Sequence, residues 1–242
     1  MIDHSFIFLE GIGSKTEEKL WKNGIRTWDD FLRSSSIPGI TLRRKAYYDQ
    51  QLLQAKEALY QQNMGFFFSC LPQREMWRLY QYFRDGCCFF DVEVDGHGKI
   101  IVLTLFDRFQ SKTLVKGMGL EREVIEKELQ KYTLLVTYNG SAFDIPHIKK
   151  EFHLELSLPH IDLKPLCQRL GLRGGLKEIE RQLGINRPSH LHGHPVDLWK
   201  AFWASGDREW LELLVQYNEE DAVNLYHLLE KCLVRMRAFY TL

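Results

Sequence analysis

The sequence lacks long apolar runs and has no excess of charge of either sign. No segment reaches about 18 consecutive uncharged apolar residues, the length that a membrane-spanning helix needs. The early apolar stretch "FIFL" is too short for a signal-peptide core and has no basic leader, so no secretory signal is expected. Lys plus Arg and Asp plus Glu each number 32, so the formal net charge is zero. This balance argues against broad, non-specific electrostatic binding of nucleic acid, but it is compatible with a site whose charges are local.

Cysteine is scarce, and its spacing is not that of a disulfide-rich or zinc-binding domain. The five cysteines include no Cys-x-x-Cys pair and stand among apolar residues. The adjacent Cys87 and Cys88 are expected on opposite faces of a strand, which argues against a shared metal ion. Reduced, packed thiols are therefore expected, and they favour a cytoplasmic protein.

Repeats and low-complexity segments are also absent, but the pattern changes along the chain. We predict a small all-α region over 1–48, connecting helices over 49–85, and a larger region over 86–242. In the last region, strands come first and strand–helix alternation follows, which predicts an α/β fold with a mixed β-sheet flanked by helices. The predicted strands are 87–94, 99–106, 112–117, 133–138 and 160–163, and the predicted helices are 121–130, one beginning near 144, one ended by Gly184, 207–217 and 218–238.

Two carboxylates stand where an apolar strand should end. In "CCFFDVEVDGHGK", which starts at residue 87, Asp91 and Glu93 share one face of the strand. Like charges side by side repel each other, and partial burial makes the repulsion worse. The arrangement therefore predicts a positive counter-charge at this position.

Two further segments carry acidic groups beside buried elements. Asp144 follows the apolar run "TLLVTY" at a helix start, and Asp221 lies four residues after Tyr217, on the same helical face. Structural alternatives exist: Asp144 as a helix cap, Asn218 with Asp221 as a capping pair, and Tyr217 as a core residue. Taken together, these carboxylates offer the hard oxygen ligands that suit Mg²⁺ or Mn²⁺. Two such ions about 4 Å apart assist phosphoryl displacement.

Three motifs resemble those of the ribonuclease H-like 3′–5′ exonuclease superfamily, the DEDD or DnaQ-like group in its Tyr-type form. "FFDVEV" matches the Asp-x-Glu motif, "NGSAFD" the Asn-x-x-x-Phe-Asp motif, and "YNEED" the Tyr-x-x-x-Asp motif, within about residues 86–235. "HIDLKPL" and "GDREWLELLVQYNEEDAVNL" further resemble a bacterial branch of RNase H-like proteins. Val94 and Asp95 stand where the family often has threonines, and Asp95 is interpreted as a former of the turn "DGHG".

The resemblance implies a metal-dependent nuclease that hydrolyses terminal phosphodiesters of DNA or RNA at a single-stranded 3′ end. The implied ligands of two divalent ions, Mg²⁺ or Mn²⁺, are Asp91, Glu93, Asp144 and Asp221. Tyr217 would orient the attacking water, because a tyrosine is a poor base at neutral pH. Asn139 and Phe143 would contact the substrate, with bracing of the loop as the alternative for Asn139; Asp162 is a structural or outer-shell group. An inactive nucleic-acid-binding module and a structure-selective endonuclease on the same fold remain open.

The segment "EGIGSKTEEKL" resembles the hairpin of a helix-hairpin-helix element. Gly11 and Gly13 would let backbone N–H groups approach a phosphate, the helix behind them favours an anion, and Lys15 would add a charged contact. The first helix of such an element would have to fit within residues 3–9. A plain turn that packs a small domain is the alternative. The basic patch "TLRRKAYY", at 41–48, is either a phosphate contact or a solvated helix face.

Overall fold

The computed structural model describes residues 1–191 and 193–240, with no side-chain description at 239 and 240. The chain forms two compact units, divided between Arg84 and Asp85. Across the described residues, no helix combines the length and the apolar character that crossing a bilayer requires.

The first unit is helical. Its helices are α1 (Ser14–Lys22), α2 (Trp28–Arg33), α3 (Leu42–Tyr60), α4 (Met64–Cys70) and α5 (Tyr80–Phe83), with 3-10 turns at Ile2–His4, Gln73–Leu79 and Arg84–Gly86. The last of these turns crosses into the second unit. α3 passes residue 48 without interruption, so residues 49–84 belong to the same compact unit as residues 1–48. The helix expected within residues 3–9 is present only as the three-residue turn Ile2–His4.

A buried ionic network anchors α1 inside this unit. The fully buried Arg78 donates from Nε to Glu75 Oε2 at 2.8 Å and from Nη2 to Glu17 Oε2 at 2.9 Å. The other oxygen of Glu17 accepts hydrogen bonds from Ser5 Oγ at 2.8 Å and Phe6 N at 2.7 Å. Because buried charges are costly unless they are paired and hydrogen-bonded, these residues depend on one another.

The second unit contains a five-stranded mixed sheet in the order β3-β2-β1-β4-β5. The strands are β1 (Cys87–Val94), β2 (Ile100–Phe106), β3 (Ser111–Val115), β4 (Leu134–Thr137) and β5 (His160–Asp162). β1 pairs with β2 and β2 with β3 in antiparallel fashion, whereas β1–β4 and β4–β5 are parallel pairs. The predicted α/β fold with a mixed sheet flanked by helices is confirmed. Asp95 is confirmed as a turn former, since its Oδ1 accepts from the N–H groups of His97 and Lys99, each at 2.9 Å.

Six helices accompany the described part of this sheet: α6 (Arg122–Leu129), α7 (Asp144–Phe152), α8 (Leu163–Arg169), α9 (Leu176–Leu183), α10 (Pro195–Ser205) and α11 (Arg208–Tyr240). The observed helices differ from the predicted ones in two ways. α8 and α10 were not expected, and the two helices predicted at 207–217 and 218–238 are one helix of 33 residues. Asn218 and Asp221 therefore lie inside a helix and are not a capping pair. The amide of Asn218 bonds to Asp91 at 2.6 Å instead of to a helix terminus.

The two faces of β1 have different surroundings, as its alternation predicted. Cys88 and Phe90 pack with Ile148 of α7 in one apolar cluster. On the opposite face, the ring of Phe89 lies 5.6 Å from that of Tyr226 of α11. The two carboxylates of β1 share this second face, so α11 is the helix that reaches them.

Candidate metal centre

The acidic end of β1 extends beyond its parallel neighbour. β1 pairs with β4 from Cys87 to Phe89, but β4 ends at Thr137 while β1 continues to Val94. Past this point the backbone N–H of Val92 donates to Asp144 Oδ1 at 3.1 Å. Asp144 is the first residue of α7, and this bond to β1 explains its position better than a helix cap does. The staggered strand ends thus leave the last residues of β1 without a neighbour on the β4 side, and Asp144 bonds to the backbone there.

Three of the four predicted carboxylates converge on the face of β1 that α11 covers. Asp91, Glu93 and Asp221 each offer one oxygen, and these oxygens lie within 4.8 Å of one another. α11 holds the group together, because Asn218 Nδ2 donates to Asp91 Oδ2 at 2.6 Å. Asp144 lies next to this group, bonded to the β1 backbone, and is not part of the three-oxygen set.

Burial raises the pKa of all four carboxyl groups. The pKa of Asp91 is raised well above its usual range, first by burial and then by the charges of Asp221 and Asp144. Burial and the charge of Asp221 raise the pKa of Glu93 to about 8. Burial also raises the pKa of Asp144 to about 7 and that of Asp221 to about 6, although hydrogen bonds and Arg187, respectively, act in the opposite direction. The metal-free centre is therefore short of positive charge.

Two basic residues that the sequence did not single out supply part of that charge. Arg187 donates from Nη2 to Glu180 Oε1 at 2.6 Å and also pairs with the carboxylate of Asp221. Glu180 is buried on α9, so it fixes the guanidinium in place. Lys177 Nζ lies 4.0 Å from the ring centre of Tyr217 and lowers the pKa of the neighbouring acidic groups. No local motif marks these residues, and only their positions in space could have revealed them.

Tyr217 lies at the same centre. It is buried on α11, one turn before Asp221. The guanidinium carbon of Arg187 lies 5.9 Å from its ring centre, so one arginine contacts both the tyrosine and the carboxylate.

Asn139 belongs to a braced loop after β4. Its φ of 63° is left-handed, its N–H donates to Asp162 Oδ1 at 2.8 Å, and its Oδ1 accepts from Lys164 Nζ at 3.1 Å. The next residue must be glycine, because a Cβ on Gly140 would lie only 2.0 Å from Thr137 Oγ1. The bracing alternative for Asn139 thus has direct contacts, and Asp162 has the structural contacts expected of it.

Phe143 lies between this loop and α7. Its half-buried ring packs against the apolar cluster under the sheet and lies 4.4 Å from the ring of His147. Its carbonyl oxygen also contacts His147 Nδ1 at 2.8 Å.

The residues assigned to phosphate binding, Gly11, Gly13 and Lys15, lie in the first unit. Gly11 has a φ of 79°, and Arg44 Nη2 lies 2.9 Å from the position that a Cβ would take. Both Arg44 and Tyr48 donate to the carbonyl oxygen of Glu10 at 2.7 Å. Part of the basic patch at 41–48 therefore braces this turn, although Arg44 itself is exposed.

The donor set of the centre fits a divalent cation. Carboxylate oxygens are the ligands that Mg²⁺ and Mn²⁺ prefer. The fully buried Asn218 presents a side-chain oxygen that has no hydrogen-bond partner among the described residues. A buried polar atom without a partner is costly, and an ion or its water would satisfy it.

Comparison with known proteins identifies the family. A family model described as RNase_H superfamily matches residues 88–233, which is more than half of the chain. The chain belongs to the RNase H superfamily. The resemblance drawn from the motifs is confirmed at this level, and divalent metals are the cofactors of RNase H-like nucleases.

One curated relative of this RNase H superfamily member is a DNA polymerase of Methanocaldococcus jannaschii. The two chains are 26% identical over 161 residues, which make up 54% of this chain and 9% of the polymerase. The matched region thus spans less than a tenth of that relative. No solved structure matches the chain.

Proposed function

We propose that this protein is a metal-dependent 3′–5′ exonuclease of the DEDD Tyr type, which hydrolyses terminal phosphodiesters of DNA or RNA. The observation that carries the proposal is the convergence of Asp91, Glu93 and Asp221, whose oxygens lie within 4.8 Å of one another. Membership of the RNase H superfamily and a relative named DNA polymerase support a nucleic-acid substrate. The order of the three sequence motifs supports the exonuclease branch.

Each residue of the centre has a task in this proposal. The residues that would hold two Mg²⁺ or Mn²⁺ ions are Asp91, Glu93, Asp144 and Asp221. When bound, these ions would supply an activated water and charge stabilisation at the leaving oxygen. Asn218 orients Asp91 through its 2.6 Å hydrogen bond, and Glu180 orients Arg187 and thereby the carboxylate of Asp221. Tyr217 would orient the attacking water.

Substrate contacts are assigned to both units. Asn139 would hold the loop beside the centre, and Phe143 would contact the terminal nucleotide. Residues 86–242 would form the catalytic domain, and the turn of Gly11, Gly13 and Lys15 would contact phosphates farther along the strand. A cytoplasmic location stays a prediction.

Cleavage of end-labelled strands tests the proposal. Single-stranded DNA and RNA, labelled at the 5′ end, are incubated with Mg²⁺, Mn²⁺ or EDTA, in parallel with a circular single strand. We expect metal-dependent, stepwise shortening from the 3′ end, resistant circles, and no cleavage by Asp91→Asn. Cut circles would favour the endonuclease, and binding without cleavage would favour the inactive binding module.

A further inference from the structure

A basic groove with no role in the mechanism above runs between the β1–β2 turn and α7. Its volume is about 530 Å³. One wall carries His97 and Lys99, and the other carries His147, Lys150 and His153. Both walls are close in sequence to carboxylates of the metal centre. The β1–β2 turn follows the strand that carries Glu93, and α7 begins at Asp144.

The positive charge of this groove is available to a ligand. Lys99 and Lys150 are exposed and have no ion-pair partner in the described part of the chain. The acidic residue of the lining, Glu151, directs its Oε2 to Ile100 N at 3.0 Å and keeps its negative charge, so two lysines face one carboxylate. Asp95, in the turn itself, accepts from backbone N–H groups and from Lys116 Nζ at 3.3 Å. In a chain with no net charge, this is a local excess of unpaired lysine.

The described histidines of the groove do not assemble a metal site. His147 Nδ1 lies 2.8 Å from the carbonyl oxygen of Phe143, and because a carbonyl only accepts, Nδ1 carries the hydrogen. In this tautomer Nε2 of His147 is an acceptor, so the positive charge of the groove comes from its lysines. Among the described residues, the groove histidines bring no three donor atoms within 4.8 Å of one another, unlike the carboxylates of the centre. A site for a transition metal is therefore not formed here.

We propose that this groove holds backbone phosphates of the nucleic-acid strand whose end lies at the metal centre; this inference rests on the proposed function. Lysines bind phosphate as point charges, and Lys99 and Lys150 lie on the two walls of the groove. At 1.5 Å of rise per residue, Lys150 lies about 9 Å along α7 from Asp144. That distance exceeds the roughly 3.4 Å of rise per nucleotide in a stacked strand, so the groove holds phosphates beyond the terminal one.

The test measures binding without cleavage. A fluorescent single strand of about 12 nucleotides, as DNA and as RNA, is titrated in EDTA and followed by anisotropy at several salt concentrations. The double variant Lys99→Gln/Lys150→Gln should bind about tenfold more weakly, with a salt slope smaller by about 1.4. The matched control Lys127→Gln/Lys200→Gln removes two exposed lysines from α6 and α10 and should bind like wild type. Both double variants should keep wild-type cleavage of a dinucleotide.

Other outcomes overturn the proposal. Equal weakening in both double variants would mean diffuse attraction, and unchanged binding in the groove variant would mean that the strand avoids the groove. Full competition by inorganic phosphate or a mononucleotide would assign the groove to a free anion. If the wild-type protein cleaves strands and the groove variant binds them normally, the groove proposal is refuted and the proposed function is not. A wild-type protein that neither binds nor cleaves refutes the proposed function as well.

Discussion

Replacing Glu93 by glutamine should stabilise the metal-free protein at alkaline pH. Burial, and then the charge of Asp221, raise the pKa of Glu93 from 4.5 to about 8. Because the folded-state value is the higher one, the stabilisation from the bound proton is complete below pH 4.5 and is lost as the pH rises through about 8. At about 1.4 kcal/mol for each pH unit between these values, the loss has an upper limit of about 5 kcal/mol. Glutamine never ionises, so the variant avoids this loss.

Thermal melts between about pH 5 and about pH 9 in EDTA measure the effect. Wild type and Glu93→Gln should melt together at the acidic end and separate by about 10 °C at the alkaline end, since about 1 kcal/mol moves the melting temperature of a domain this size by 2–4 °C. Saturating Mg²⁺ should narrow or reverse the difference, because it stabilises wild type by about 2.7 kcal/mol at 100 times its Kd. Glu123→Gln, an exposed change on α6, is the matched control and should follow wild type.

Two results would refute this reasoning. If Glu93→Gln melts below wild type at alkaline pH in EDTA, the carboxylate stabilises the fold through a contact and is not held there against repulsion. If Glu123→Gln shifts by the same amount, the effect belongs to the overall charge of the protein and not to the metal centre.

Three further changes probe single contacts. Tyr217→Phe should lower turnover on a labelled strand by about 10- to 100-fold, while Mn²⁺ affinity by calorimetry stays at the wild-type value; unchanged turnover would make Tyr217 a packing residue. Arg187→Met leaves Glu180 buried without its partner and should lower the free energy of unfolding in urea by about 3–5 kcal/mol; a loss below about 1 kcal/mol would mean that water replaces the guanidinium. Arg78→Met should destabilise the first unit by a similar amount, because Glu17 loses its partner. Tryptophan fluorescence monitors that transition, and Glu17→Gln made together with Arg78→Met should recover part of the loss.

The sequence by itself determined the features that depend on short-range periodicity. Alternation along β1 put Asp91 and Glu93 on one face and Cys88 on the other, which the structure confirms. The buried run of β4 and the helical spacing of Tyr217 and Asp221 could also be predicted from the sequence, because a period of two or of 3.6 residues is a local property. Helix continuity across residue 218 could not be predicted, since asparagine locally favours a helix end, and its amide nitrogen finds its partner, Asp91, only in the tertiary structure.

Tertiary structure alone decided which charges meet. Arg187 follows α9 in a loop without a motif, yet it pairs with Glu180 and with Asp221 of α11. Lys99 and Lys150 line one groove only because the fold brings α7 next to the β1–β2 turn. Electrostatic energy depends on distance and burial, and neither is encoded in the spacing of residues along the chain. The carboxylates of the centre could be predicted because strand and helix geometry positions them, whereas their counter-charges come from loops and helices that are positioned by packing.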